Sequence, residues 1–94
     1  MTIIDKIRRK KPAEPDRRGF LLKNGRITDG VILDIEQNDS GDEVAIYLYT
    51  LNGVDFESSD VLTEAQRRDR AKYAPGAKVG IRYDQRNQGN SILE

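Results

Sequence analysis

Apolar residues are sparse in the first quarter of the chain and then fall into short alternating runs. Ile3, Ile4 and Ile7 lie at helical spacing, but Pro12 and Pro15 stop a helix, because proline lacks an N–H and restricts the residue before it. Residues 9–16 read as a linker. Asp16 can cap a short helical segment through Gly19 to Lys23, with Asn24-Gly25 as its stop. From Arg26 the period changes to two. Ile27, Val31, Leu33 and Ile35 share one face and Thr28, Asp34 and Glu36 the other, with Gly30 marking a bulge or bend. Asn38 to Asp42 is a dense turn signal.

Two strand runs, 43–51 and 54–59, flank Asn52-Gly53. That dipeptide suits a type I′ hairpin turn, which needs positive φ at both central residues. The register then sets Leu51 opposite Val54, Tyr49 opposite Phe56 and Tyr47 opposite Ser58 on a core face. Ile46, Leu48, Asp55 and Glu57 fall on the other face. Two aliphatics beside two carboxylates imply that another element partly covers this second face. Residues 60–74 read as helix or ordered loop, capped by Asp60 or Thr63 and ended by Pro75-Gly76. Val79, Ile81 and Tyr83 alternate as a further strand, and 91–94 form a short closing one.

The pattern predicts a mainly β domain: a small closed or partly open antiparallel barrel of about five strands, SH3-like or OB-like. It carries a short helix or loop insertion. A chain this short must manage its sheet edges, and closure does so. Residues 1–18 read as a flexible basic tail and 19–94 as the barrel.

Composition narrows the chemistry. The sequence has 94 residues with no Cys, His or Trp, which leaves no thiolate or imidazole for nucleophilic, acid/base or metal-ligand work. No apolar run approaches the roughly 20 residues that span a bilayer, and the N-terminus is too polar for a secretory signal, so the cytoplasm is the default compartment. The net charge is zero but unevenly spread: residues 1–26 carry +6, residues 27–64 carry −10 with no Lys or Arg, and residues 65–94 carry +4. An acidic middle between basic ends suggests partners of opposite sign, or self-complementarity.

Several segments resemble one family. Gly30-Val31, the hairpin Tyr49-Thr50-Leu51-Asn52-Gly53 with Phe56-Glu57, and Lys78-Val79-Gly80-Ile81-Arg82-Tyr83-Asp84 followed by Ser91-Ile92-Leu93 carry the likeness. The chain resembles a bacterial family of uncharacterised small β-barrel domains with a Val-x-Val-x-Tyr-Asp-Pro-like C-terminal signature, often attached to membrane-spanning helices. Gln85 and Gln88-Gly89 stand where that family carries prolines. The resemblance implies a fold but no activity and no site residue.

Asp39, Asp42 and Glu43 put three carboxylates in five residues, but the spacing departs from the EF-hand template and suits an Asx-type turn. Asp55 and Glu57 lie about 7 Å apart on one strand face, and a charged edge kept against aggregation is the simpler reading. Tyr47, Tyr49, Phe56, Tyr73 and Tyr83 could stack bases if exposed, but Tyr49 and Phe56 are a cross-strand core pair. Lys6, Arg8, Arg9, Lys10 and Lys11 form the candidate contact with an anionic surface. The sequence thus points to a non-catalytic binding or accessory module, needing no cofactor or metal. An unidentified protein partner is its main expectation, with an anionic membrane reached through the tail. An electrostatic nucleic-acid binder using the two basic ends is the alternative.

Overall fold

The structure, a computed structural model, describes residues 14–94. Helix α1 (Glu14–Asn24) precedes strands β1 (Arg26–Gln37), β2 (Glu43–Leu51) and β3 (Val54–Val61). A one-turn helix α2 (Glu64–Arg67) follows, then β4 (Lys78–Tyr83) and β5 (Ser91–Leu93). The strands form one antiparallel sheet in the order β3-β2-β1-β4-β5, curled into a half-barrel.

The β2–β3 hairpin has the expected register, Leu51↔Val54, Tyr49↔Phe56 and Tyr47↔Ser58, with positive φ at Asn52 and Gly53. Tyr47, Tyr49 and Leu51 enter the core with Ile32, Ala45, Leu62, Tyr73, Val79, Ile81 and Leu93. Tyr49 stacks on Tyr47, Phe56 and Tyr83, so most of the aromatic set lines the concave interior. Val54, expected inside, is exposed at the hairpin tip, where no neighbouring strand covers it.

Strand β1 departs from simple alternation. Its bulge falls between Ile32 and Asp34, not at Gly30. The extra residue changes the parity, so Ile32 and Ile35 both turn inward while Leu33 is 43% exposed and Ile27 57% exposed. Gly30 serves a different need. A Cβ there would lie 2.7 Å from the Leu48 carbonyl oxygen and 2.9 Å from Ile81 Cγ1. Gly30→Val therefore lowers stability by about 1–3 kcal/mol through overpacking, read from the urea midpoint; an unchanged midpoint would show that β1 and β2 can separate there.

α1 starts at Glu14, ahead of the segment expected around Phe20, and ends at Asn24 with Gly25 N–H donating to Leu21 O at 2.8 Å. Thr63, not Asp60, caps α2: Gln66 N–H donates to Thr63 Oγ1 and Thr63 N–H to Gln66 Oε1, a capping box. Asp60 lies within β3.

The half-barrel is pinned where β3 approaches β5. These strands share no ladder, and side chains supply the missing partners. The buried Asp60 carboxylate accepts from Leu93 N–H at 3.0 Å and sits 3.7 Å from Arg18 Nη1. Arg18 Nη1 also donates to Leu93 O, and Arg17 Nη2 to Ser91 O at 2.6 Å. Gln66 Nε2 and Tyr73 Oη donate to the Glu94 carbonyl. Ile92 is fully buried although it lies on the pleat opposite Ile81 and Leu93; α1, with Leu21 fully buried, is the helix that packs on β4 and β5 and covers it.

Candidate protein-binding surface

The side of the sheet facing away from the core is built by the same pleat that fills the barrel. With Ala45, Tyr47 and Tyr49 directed inward, Val44, Ile46, Leu48 and Thr50 point outward from β2. Their cross-strand partners on β3 are Val61, Ser59, Glu57 and Asp55. Their partners on β1 are Glu36, Asp34 and Val31. Val31, Val44, Ile46 and Leu48 are half-buried, Leu33 and Val61 exposed. Two shallow depressions mark this face. One, of about 390 Å³, is lined by Glu36, Val44, Ile46, Glu57 and Ser59. The other, of about 360 Å³, is lined by Asp29, Val31, Leu48, Thr50 and Lys78.

On the β1–β3 part of this face the charge has one sign. Asp29, Asp34, Glu36, Asp55 and Glu57 all lie on β1 or β3 and are exposed, while no Lys or Arg occurs between Ile27 and Glu64. Lys78 on β4, paired with Val31, is the adjacent cation. α1 packs on β4 and β5 and leaves the β1–β3 part of the face to solvent among the described residues. The sequence implied a cover over Ile46 and Leu48; the described residues supply none.

The other candidates take less chemistry. A slot of about 240 Å³ opens at one end of the barrel, with Ile35, Leu62, Tyr73 and Pro75 in its wall. Its polar groups serve each other: Arg70 makes two bonds to the Glu43 carboxylate, at 2.8 and 3.2 Å, and Arg67 Nη1 donates to Leu62 O. Among the described residues no buried side-chain nitrogen or oxygen lacks a partner. The 38–42 loop is organised by Asn38 Oδ1, which accepts from Ser40 and Asp42 N–H, as an Asx turn. Asp55 accepts from Thr50 Oγ1 at 2.6 Å. The C-terminal basic residues are dispersed: Arg68 pairs with Glu64 and Arg82 with Glu94, and Lys72 lies over the Tyr73 ring.

Lys6, Arg8, Arg9, Lys10 and Lys11, the anionic-surface candidates, lie outside the described residues. Arg17 and Arg18, read from the sequence as part of the tail, are tied to the barrel seam. Among the described residues no helix is long and apolar enough to cross a membrane.

The outer face was half-legible in the sequence. Parity placed Ile46, Leu48, Asp55 and Glu57 together, whereas Val31 and Asp34 joined them only through the bulge at Leu33.

A family model described as Domain of unknown function (DUF3592) matches residues 24–94, from the last residue of α1 through β5. No curated protein and no solved structure matches the chain.

Proposed function

We propose that this chain, which belongs to the family Domain of unknown function (DUF3592), is a non-catalytic protein-interaction module whose outer sheet face takes a basic, amphipathic segment of a partner protein. The observation that carries this reading is the stripe of Val31, Val44, Ile46 and Leu48 flanked by five carboxylates on β1 and β3. An apolar centre with a polar, single-sign rim is how a specific interface is built: the centre gives affinity and the rim steers and orients the partner. The acidic rim repels phosphate backbones and anionic lipid, and favours a peptide bearing Lys or Arg between apolar residues.

The test is an NMR titration of the isotopically labelled chain with a synthetic peptide of alternating Leu and Lys. Shift changes gather at Val31, Val44, Ile46 and Leu48, and affinity falls as salt rises. The double variant Glu36→Lys, Glu57→Lys weakens binding about tenfold, since each rim charge contributes up to about 1 kcal/mol. Shift changes at the barrel-end slot instead, or equal affinity for a Leu–Glu peptide, would remove the reading.

A further inference from the structure

The two edges of the sheet end differently. At β5 the backbone is closed by side chains: Leu93 N–H donates to the Asp60 carboxylate, Leu93 O accepts from Arg18 Nη1, and Ser91 O accepts from Arg17 Nη2. At β3 the register leaves the backbone open. The residues that flank a two-residue hairpin turn form a hydrogen-bonded pair, so Val54, Phe56 and Ser58 direct their N–H and C=O groups to β2. Leu62 continues that parity by donating to Glu43 O at 2.9 Å. The N–H and C=O groups of Asp55, Glu57 and Ser59 therefore point away from β2, and among the described residues nothing bonds to them.

We propose that this edge of β3 is a strand-addition site for an extended basic segment of a partner protein, which pairs with residues 55–59 and sets Lys or Arg opposite Asp55 and Glu57. The proposal goes beyond the outer-face reading and does not depend on the aliphatic stripe.

Charge chooses the occupant. In an antiparallel addition, the residue directly opposite Glu57 exchanges both backbone bonds with it and holds its side chain on the same face. A Lys or Arg there meets the carboxylate of the very residue whose backbone it pairs with. Glu57 has no hydrogen-bond or ion-pair partner of its own among the described residues, while Asp55 already accepts from Thr50 Oγ1. A second copy of this chain fits worse, because β3 carries acids and no cation, so a β3–β3 pairing brings carboxylates together.

The other parity of the edge is apolar toward the turn. Val54 is 54% exposed and Phe56 partly buried against the core, with no strand beyond them. Apolar residues at the alternate positions of an added strand would lie beside these two. The segment that fits is therefore extended, with basic and apolar residues in alternation, the backbone giving affinity and the side chains giving register.

The test is amide hydrogen exchange by NMR on the labelled full chain, free and with the alternating Leu–Lys peptide at saturation. In the free chain the Asp55, Glu57 and Ser59 amides exchange fast. With peptide they slow by about tenfold or more, while the Phe56 and Ser58 amides, already bonded to β2, change little. N-methylation of the peptide at its Lys amides, which face β3 in this register, lowers affinity by at least about tenfold through the lost backbone bonds. N-methylation at its Leu amides, which face away, leaves affinity and protection in place. A Leu–Glu peptide gives no protection.

Three outcomes overturn the proposal. One is binding without protection at Asp55, Glu57 and Ser59; shift changes confined to Val31, Val44, Ile46 and Leu48 would then leave the outer-face reading standing. Another is equal loss from the two N-methylated peptides. The third is protection of these amides in the chain alone that grows with its concentration, which assigns the edge to a second copy. Alternate protection on β3 with no shift changes on the stripe supports strand addition and removes the outer-face reading, so the two fail separately.

Discussion

Asp60→Ala is expected to lower the unfolding free energy by about 3–5 kcal/mol, the cost of leaving the other half of a buried ionic contact uncompensated. Asp60 is 6% exposed, and among its contacts its carboxylate accepts the Leu93 N–H at 3.0 Å and faces Arg18 at 3.7 Å. Removing it strands the β5 amide and takes the carboxylate away from the Arg18 guanidinium, which keeps its bond to the Leu93 carbonyl. For a domain of this size each kcal/mol moves the melting temperature by about 4–8 °C, so the midpoint falls by at least about 12 °C. Asp60→Asn separates the duties, because its amide oxygen can still accept from Leu93 while the charge is gone; its loss should be about half as large. Thermal melts of both variants followed by circular dichroism decide the matter. A melt for Asp60→Ala matching the parent would mean that apolar packing alone holds β5 and α1 in place.

The second large effect is alkaline. The Tyr47 hydroxyl lies 2.7 Å from Ser91 Oγ in the core, and burial pushes its pKa from 10.0 up to about 12, against the opposing pull of the hydrogen bonds. The unfolded chain releases this proton near pH 10, while the folded chain holds it until about pH 12. The stabilisation is therefore intact below pH 10 and drains away as pH rises from 10 to 12, reaching on the order of 2–3 kcal/mol. Urea midpoints at pH 9 and at pH 11.5 should show this fall. Tyr47→Phe should fall less over the same interval, the remainder including Tyr49, which burial also raises. Parallel losses in parent and variant would show that Tyr47 ionises as easily in the fold as out of it.

What the sequence discloses follows the range of the interaction that decides it. The hairpin was readable because Asn52-Gly53 sets its turn locally and the period of two then assigns every partner. The cap on α2 was readable for the same reason, with Thr63 and Gln66 three residues apart. The parity of β1 was not, because the position of the bulge depends on how β1 fits between β2 and β4. Gly30 looked like the irregular residue but is there to admit the Leu48 carbonyl and the Ile81 side chain.

Arg17 and Arg18 were the least visible. In sequence they continue a basic tail; in the fold they answer carbonyls 74 and 75 residues away. Nothing local distinguishes a solvated arginine from one aimed at the edge of a strand. The acidic rim was legible as a charge count over 27–64, but its arrangement around an aliphatic stripe required the register of three strands.

The seam also bears on how the chain acquires its fold during synthesis. The contact that pins the half-barrel joins Arg18 to Leu93. A nascent chain emerging from the ribosome can form the β2–β3 hairpin and pair it with β1 long before Leu93 is available. Through that interval the outer edge of β3, which gains no ladder partner even in the finished fold, also lacks the side-chain contacts of the seam and is open to pairing with a neighbouring nascent chain. Asp60 near the end of that strand then places a carboxylate on the exposed edge until its amide partner arrives. The residue that closes the finished half-barrel thus doubles as the guard of its unfinished one.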